Sequence, residues 1–454
     1  MALHKCMRIA STLTLLCWIT GNAAFAERSE QHDQTPNIVM IISDDQAWGD
    51  YSFMGHPHIK TPHLDRLASQ SRTFTRGYVP SSLCRPSLVT MITGLYPHQH
   101  LVSGNDPKPP AGQRSRQMKN NPQYNQARER LISHIDKQQT LPKLLMQKSY
   151  LSFQCGKWWE GNYSRGGFTH GMTRGFPNPG GRHGDEGLKI GREGMQPLYD
   201  FINHSQKQNK PFFVWYAPFL PHTPHNPPER LLNQYKNKTE SLFVAKYWAM
   251  CEWFDETCGQ LLDYLDKQQL SENTIVVYVT DNGWIQSPDN RKYAPRSKRS
   301  PNEGGIRTPI MVRWPGHTEP KRDDTTLVSS IDLLPTLLAA CNLQAKASLP
   351  GINLLDDQKL KSRKQIFGEI FDHDVADSNN PAASLQYRWC ISDNWKLILP
   401  NNAYLADTHP VELYDLKTDP HEKQNVAEQH PRVVQQLTTA IDSWWNIRQK
   451  AQAH

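Results

Sequence analysis

Two pairs of oxygen-bearing side chains stand directly after apolar runs. Asp44 and Asp45 follow NIVMIIS, and Asp281 and Asn282 follow TIVVYVT. Short, nearly continuous apolar runs of this kind predict buried parallel strands. In an open parallel sheet, ligands gather at the carboxyl ends of the strands. If the two runs are neighbours, three carboxylates and one amide meet at one place. Such a set suits a hard divalent cation, Ca²⁺ first and Mg²⁺ as the other candidate, rather than zinc. Either pair alone reads more simply as strand-end acids capping helices; their matching positions favour the metal.

A second chemical candidate is Cys84, in the stretch SSLCRPSLVTMITGLYPH. Pro86 fits the first turn of a helix, where its missing N–H costs nothing. The helix is expected to run through SLVTMIT and stop at Gly94. Cys84 then lies at a helix N-terminus, where free N–H groups favour an anion. That anion is either its own thiolate or an oxyanion brought by a substrate.

The elements that must position these groups alternate. Strands are expected at 37–42, 212–217, 274–280 and 309–315. Helices are expected at 63–71, 140–150, 246–267 and 329–341. This predicts an α/β fold with a large, mostly parallel central sheet flanked by helices. From residue 365 the texture changes to short strand-like runs, IFGEIF, YRWCISD, WKLILP and VELYDL, followed by a closing helix at 431–450. We therefore expect a catalytic domain at 27–364 and a small C-terminal subdomain at 365–454, with an antiparallel sheet. Two long Gly/Arg-rich loops, 103–130 and 161–193, have the length of functional loops.

Residues 1–26 read as an export signal. Lys5 and Arg8 precede the apolar STLTLLCWIT, and small residues end the segment at Ala26. The apolar run is too short to span a bilayer, so the mature chain is expected in the periplasm or secreted, with no membrane anchor. Export permits disulfides among the six remaining cysteines, whose pairing the spacing leaves open. The formal charge of +7 fits an anionic partner as well as plain solubility. The modules that bind nucleic acid are absent from the pattern.

The segments PNIVMIISDDQAWGD, TPHLDRLA, CRPSLVTMITGLYPH, CGKWWEG, APFLPHTPH, VTDNG, SKRSPNEGGIRTP, DLLPTLL and ELYDLKTDPHEKQNVA occur in this order. In that order they resemble the type I sulfatases of the alkaline-phosphatase superfamily over nearly the whole mature length. The resemblance implies that Cys84 is oxidised by a maturing enzyme to formylglycine, whose hydrate is the nucleophile and a ligand of the metal. It implies that Lys157 and Lys298 bind the sulfate and that His222 is the general acid at the scissile oxygen. Attack at sulfur drives charge onto the leaving oxygen, which is why cations must surround the sulfate. Two residues depart from the family pattern. Leu88 stands where the family has an arginine, and Trp159 where it has a histidine.

Trp158, Trp159, Arg165, His170 and Arg182 are candidates to line a substrate cleft, since aromatic faces stack on sugars and arginine pairs with sulfates. Loop packing explains each of them equally well. The chain looks most like marine bacterial polysaccharide sulfatases, which makes a galactose 4-sulfate of carrageenan the first expected substrate. The alternatives are a phosphomonoester or phosphonate hydrolase of the same superfamily, or a catalytically silent protein that binds sulfated glycans.

Overall fold

A computed structural model describes residues 35–405 and 409–447; the expected export signal lies outside the described residues. Asn37–Ser43 forms a strand with all seven residues buried, and so does Thr274–Thr280. Ile38, Met40 and Ile42 join the core on one face of the sheet, whereas Val39 and Ile41 join the core on the other. Successive side chains of a strand point to opposite faces. With both faces covered, the five inner positions of each strand are hydrophobic, which explains the unbroken run.

The central sheet has nine strands. Val328–Ser329 lies at one edge, followed in space by Arg72–Tyr78, Arg307–Arg313, Thr274–Thr280, Asn37–Ser43, Phe212–Ala217, Leu151–Gly156 and His170–Gly171. Lys321–Asp323 pairs with Arg72–Tyr78 outside this path. The sheet is mostly parallel. Its exception is Arg307–Arg313, which runs antiparallel to both neighbours.

One face carries the helices Cys84–Thr93 and Leu333–Ala340 through Leu88, Val89, Leu334 and Leu337. The other carries Pro62–Ser69, Gln196–Lys207 and Leu242–Lys267 through Leu64, Leu198, Phe254 and Leu261. Each such fully buried aliphatic or aromatic side chain contributes about 1.5–3 kcal/mol. The expected helix at 140–150 ends at Leu145 and continues as a tighter turn at Met146–Lys148.

Four strands, Gln365–Phe371, Leu385–Ser392, Trp395–Pro400 and Glu412–Asp415, form an antiparallel sheet. The helix Pro431–Trp444 packs Leu437 and Ile441 against Cys390, Leu397 and Leu413 of that sheet. Buried Lys396 reaches out of it to Glu303 at 3.0 Å and to Glu422 at 2.7 Å. The six described cysteines are all buried and unpaired. Among the described residues no helix is long and apolar enough to cross a membrane.

Candidate active site

The register of the two central strands builds the site. Ser43 lies beside Thr280 in the parallel pair, so the next residues, Asp44 and Asp45, meet Asp281 and Asn282. Asp45 takes a left-handed backbone, φ 65°, a strained conformation for a side-chain-bearing residue. Its N–H donates to Asp281 Oδ1 at 3.0 Å, and Asn282 Nδ2 donates to Asp45 Oδ1 at 2.6 Å. All four residues are at most 2% exposed.

Four buried oxygens of this cluster accept no hydrogen bond: Asp44 Oδ2, Asp45 Oδ2, Asp281 Oδ2 and Asn282 Oδ1. Each of the four oxygen-bearing ligands expected besides Cys84 thus contributes one orphan acceptor. Buried acceptors are normally satisfied, and the donor chemistry is that of a hard cation. Burial, with Asp281 and Asp45 beside it, pushes the Asp44 carboxyl up against the pull of Lys157. A divalent cation would relieve that repulsion, so the residues fit one.

Cys84 opens the helix Cys84–Thr93, which ends at Gly94 with φ 65°. A Cβ on Gly94 would stand 3.0 Å from Leu334, so glycine serves both the turn and the packing. The Cys84 Sγ lies 3.1 Å from Lys298 Nζ, which also sits 2.5 Å from Asp45 Oδ1. Asp44, Asp45, Cys84 and His222 each bring a ligand atom within 4.8 Å of the others. Burial pushes the thiol up to about 12 despite Lys157 and Lys298. The unmodified residue is therefore a neutral thiol, and the helix N-terminus does not make a thiolate of it.

Lys157 follows Gly156 at the end of its strand. A Cβ on Gly156 would lie 1.9 Å from Ala217 O, so only glycine lets that strand end approach its neighbour. Lys157 Nζ lies 2.6 Å from Asp44 Oδ1 and 3.8 Å from Asp281 Oδ2. Burial pulls both ammonium groups down. Asp44 leads the opposing charges at Lys157 and Asp45 at Lys298, so both stay above the ordinary lysine range.

His222 Nε2 lies 3.3 Å from Asp45 Oδ2, and His222 Nδ1 donates to Thr223 O at 2.6 Å. Burial first, then Lys157 and Lys298, hold this imidazole well below its ordinary pKa. The bare Nε2 of the neutral ring faces a carboxylate oxygen, another mismatch that a cation would relieve. Phe219 stacks on the ring at 4.3 Å.

A model of the sulfatase family matches residues 36–343 of this chain. The chain belongs to the sulfatase family. A second model, the C-terminal region of N-sulphoglucosamine sulphohydrolase, matches residues 294–446. An N-acetylgalactosamine-6-O-sulfatase of Bacteroides thetaiotaomicron is 25% identical, across 96% of this chain and 98% of that protein. The human N-acetylgalactosamine-6-sulfatase is 27% identical, across 71% of this chain and 65% of that protein. A crystal structure of Ps i-CgsB with k-i-k-neocarrahexaose superimposes with a TM-score of 0.71 at 22% identity, covering 91% of this chain and 93% of that one. The sulfatase is thus a sulfuric ester hydrolase, and the fold expected for it is the fold observed.

The two departures from the family pattern have structural settings. Leu88 is packed in the core at 2% exposure. Arg85 does not stand in for the missing arginine. It pairs with Glu160 through two 2.7 Å bonds and tethers the Cys84 helix to the segment after Lys157. Trp159 lies under the Arg182 guanidinium, 4.5 Å from its ring centre, and beside the His183 ring at 5.2 Å.

Of the five cleft candidates, Trp159 and Arg182 come together. Trp158 is a correction: it packs against Phe168 and Trp215 in the core, with 1% of its surface exposed. Arg165 is tied to Glu129 and Asp136. His170 lies on the edge strand, its ring tilted against Phe201 and edge-on to His204. Sequence reasoning missed His183, whose ring lies 5.5 Å from Phe219 and whose Nδ1 is buried without a partner. Burial, with Lys157 and Arg182, lowers its pKa to about 3. A lone histidine within a loop carries no local signal of that placement.

Proposed function

We propose that this sulfatase cleaves the sulfate ester of a galactose or N-acetylgalactosamine unit in a sulfated polysaccharide, with Cys84 in its formylglycine form. The observation that carries the reading is Lys298, which touches both the nucleophile position and the carboxylate cluster. Formylglycine supplies an aldehyde whose hydrate attacks sulfur. Asp44, Asp45, Asp281 and Asn282 would hold one Ca²⁺ or Mg²⁺, whose chemistry is to stabilise charge on a sulfate oxygen and acidify a bound hydroxyl.

The protein's own groups do the rest. Lys157 and Lys298 face the sulfate as buried cations, where preorganised charge acts most strongly. His222 keeps its Nδ1–H on Thr223 O, which aims Nε2 into the site. The free imidazole is neutral. An anionic sulfate ester offsets the two lysines, which rank after burial among the causes of that lowering, and so favours protonation of the ring. Nε2 then delivers a proton to the leaving sugar oxygen. Stacking on Phe219 fixes the ring.

The galacto-configured substrate is supported by two relatives named for N-acetylgalactosamine 6-sulfate and by the structure holding a neocarrahexaose. A galactose 4-sulfate of carrageenan stays the first candidate and N-acetylgalactosamine 6-sulfate the second. Residues 1–26 are proposed to export the chain to the periplasm or the medium.

The test has two parts. Protein made in a host with a formylglycine-generating enzyme is digested, and the Cys84 peptide is weighed. The mass of the aldehyde or its hydrate is expected; an intact thiol in active protein would overturn the nucleophile assignment. Sulfate release is then measured on carrageenans, chondroitin sulfates and heparan sulfate. Release confined to glucosamine sulfates would sink the galacto-configured reading, and binding without turnover by mature protein would favour a silent glycan binder.

A further inference from the structure

Five residues after Lys298, Glu303 opens the short helix Glu303–Ile306. Its carboxylate is buried and held from the C-terminal sheet. Lys396 Nζ, with no exposed surface, lies 3.0 Å from Glu303 Oε1 and 2.7 Å from Glu422 Oε1. Glu422 Oε2 in turn accepts from the Glu303 N–H at 2.8 Å. Tyr78 donates to Glu303 Oε2 at 3.1 Å, and Arg307 approaches that oxygen at 3.5 Å. Glu422 itself has a left-handed backbone, φ 54°, which costs a side-chain-bearing residue energy unless its surroundings fix it. A buried charged set of this kind adds little stability over an apolar one. What it does fix is geometry.

The helix passes that geometry to the catalytic groups. A Cβ on Gly305 would stand 2.3 Å from Ser297 O, 2.6 Å from Ser300 O and 2.7 Å from Ser82 Oγ. Ser297 and Ser300 flank Lys298, and Ser82 is two residues before Cys84. The N–H of Arg299 donates to Ser82 Oγ at 2.9 Å. Gly305 O accepts from the N–H of Gly283, beside Asn282, at 2.8 Å. A shift of this helix therefore moves Lys298, whose ammonium touches Cys84 and Asp45.

We propose that Lys396 and Glu422 are positioning residues: through Glu303, the C-terminal sheet holds Lys298 in register with Cys84 and the carboxylate cluster. The inference rests on the sulfate-facing role of Lys298.

The test is a double-mutant cycle. Lys396→Met and the nearly isosteric Glu422→Gln are each made in the native protein and in Lys298→Ala. Mature proteins are assayed on 4-nitrophenyl sulfate, which frees the result from the identity of the glycan. In the native background kcat/KM should fall about tenfold to a hundredfold, the cost of misplacing a preorganised group by about 1 Å. In the Lys298→Ala background the same changes should cost less than about twofold, because coupled residues are not additive. Lys396→Arg, which keeps the charge, should lose less than Lys396→Met. Circular dichroism confirms folding, and Glu422→Gln decides alone if Lys396→Met does not fold.

The same cycle is read without turnover by calorimetry of inorganic sulfate on the Cys84→Ala protein. Affinity should drop about tenfold on Lys396→Met or Glu422→Gln, and not once Lys298 is alanine. Equal losses in both backgrounds would mean a merely structural role and overturn the proposal, as would no loss in folded protein. If Lys298→Ala loses activity and the other variants do not, the positioning fails and the role of Lys298 stands. If mature protein hydrolyses nothing while the binding cycle holds, the hydrolytic reading fails and the positioning stands.

Discussion

Lys298 Nζ lies 3.1 Å from Cys84 Sγ. The same ammonium touches Asp45, so one cation couples the nucleophile position to the carboxylate cluster. Replacing it with alanine should lower kcat/KM by about 10²–10³, the usual cost of removing one preorganised stabilising group. Arginine should not restore the rate, because its planar fork does not reproduce a point charge. Sulfate release by Lys298→Ala and Lys298→Arg, with near-native thermal unfolding, checks this; full activity of the arginine variant would refute it.

The orphan oxygens of Asp44, Asp45, Asp281 and Asn282 predict metal-linked stability. A ligand that binds only the folded state adds about 2.7 kcal/mol at a hundredfold excess over its Kd. Tm should fall on chelation and rise again with added Ca²⁺ or Mg²⁺, in a concentration-dependent way. Asp45→Asn should blunt that response. A Tm indifferent to chelator and metal would argue against a cation at this site.

His222 is expected to matter in proportion to how poor the leaving group is. Against a sugar sulfate, His222→Ala should lose about 10²–10⁴ in kcat, the range of general acid catalysis. Against a 4-nitrophenyl sulfate, whose phenolate leaves unaided, the loss should be far smaller. Equal losses on the two substrates would mean that His222 binds rather than protonates.

Arg85 and Glu160 form a pair at 2% and 1% exposure. Breaking it by Glu160→Ala strands a buried guanidinium and should cost about 3–5 kcal/mol. The double change Arg85→Met with Glu160→Leu should recover most of that. Urea unfolding of the three proteins decides, and a neutral single variant would contradict the pairing.

Acid sensitivity follows from His56, whose Nδ1 accepts from the N–H groups of His58 and Ile59 at 3.1 and 2.8 Å. That geometry needs an unprotonated Nδ1. Burial, helped by His58, lowers its pKa from 6.5 to about 4. Because the folded pKa is depressed, the stabilisation is present above pH 6.5 and is lost as pH falls through about 4. The loss should be roughly 1–2 kcal/mol once partial exposure is discounted. His56→Asn keeps an acceptor that does not titrate, so its Tm should vary less across this window; an unchanged pH profile would show that His56 contributes nothing.

Much of the site was legible because its logic is local and periodic. The runs before Asp44 and Asp281 mark strands buried on both faces, and a strand of known direction says where its last residues lie. Pro86 and Gly94 bracket a helix and so place Cys84 at its start. The cleft was read less well. Trp158 and Trp159 are adjacent with equal chemistry, yet successive side chains diverge, and Trp158 went into the core beside Phe168 and Trp215. Arg165 and Arg182 look alike in sequence; which one reaches the site depends on the carboxylates that anchor it.

The sequence by itself determined the family, the alternating architecture and the carboxylate–amide set, because each is written in short motifs whose spacing acts within one element. Only the tertiary structure decided the register that sets Ser43 beside Thr280, the contact of Lys298 with Cys84, and the meeting of Asp106 with Arg182 across 76 residues. Those are contacts between segments distant in the chain. They depend on how the loops pack on the finished sheet, and no local pattern of residues encodes that.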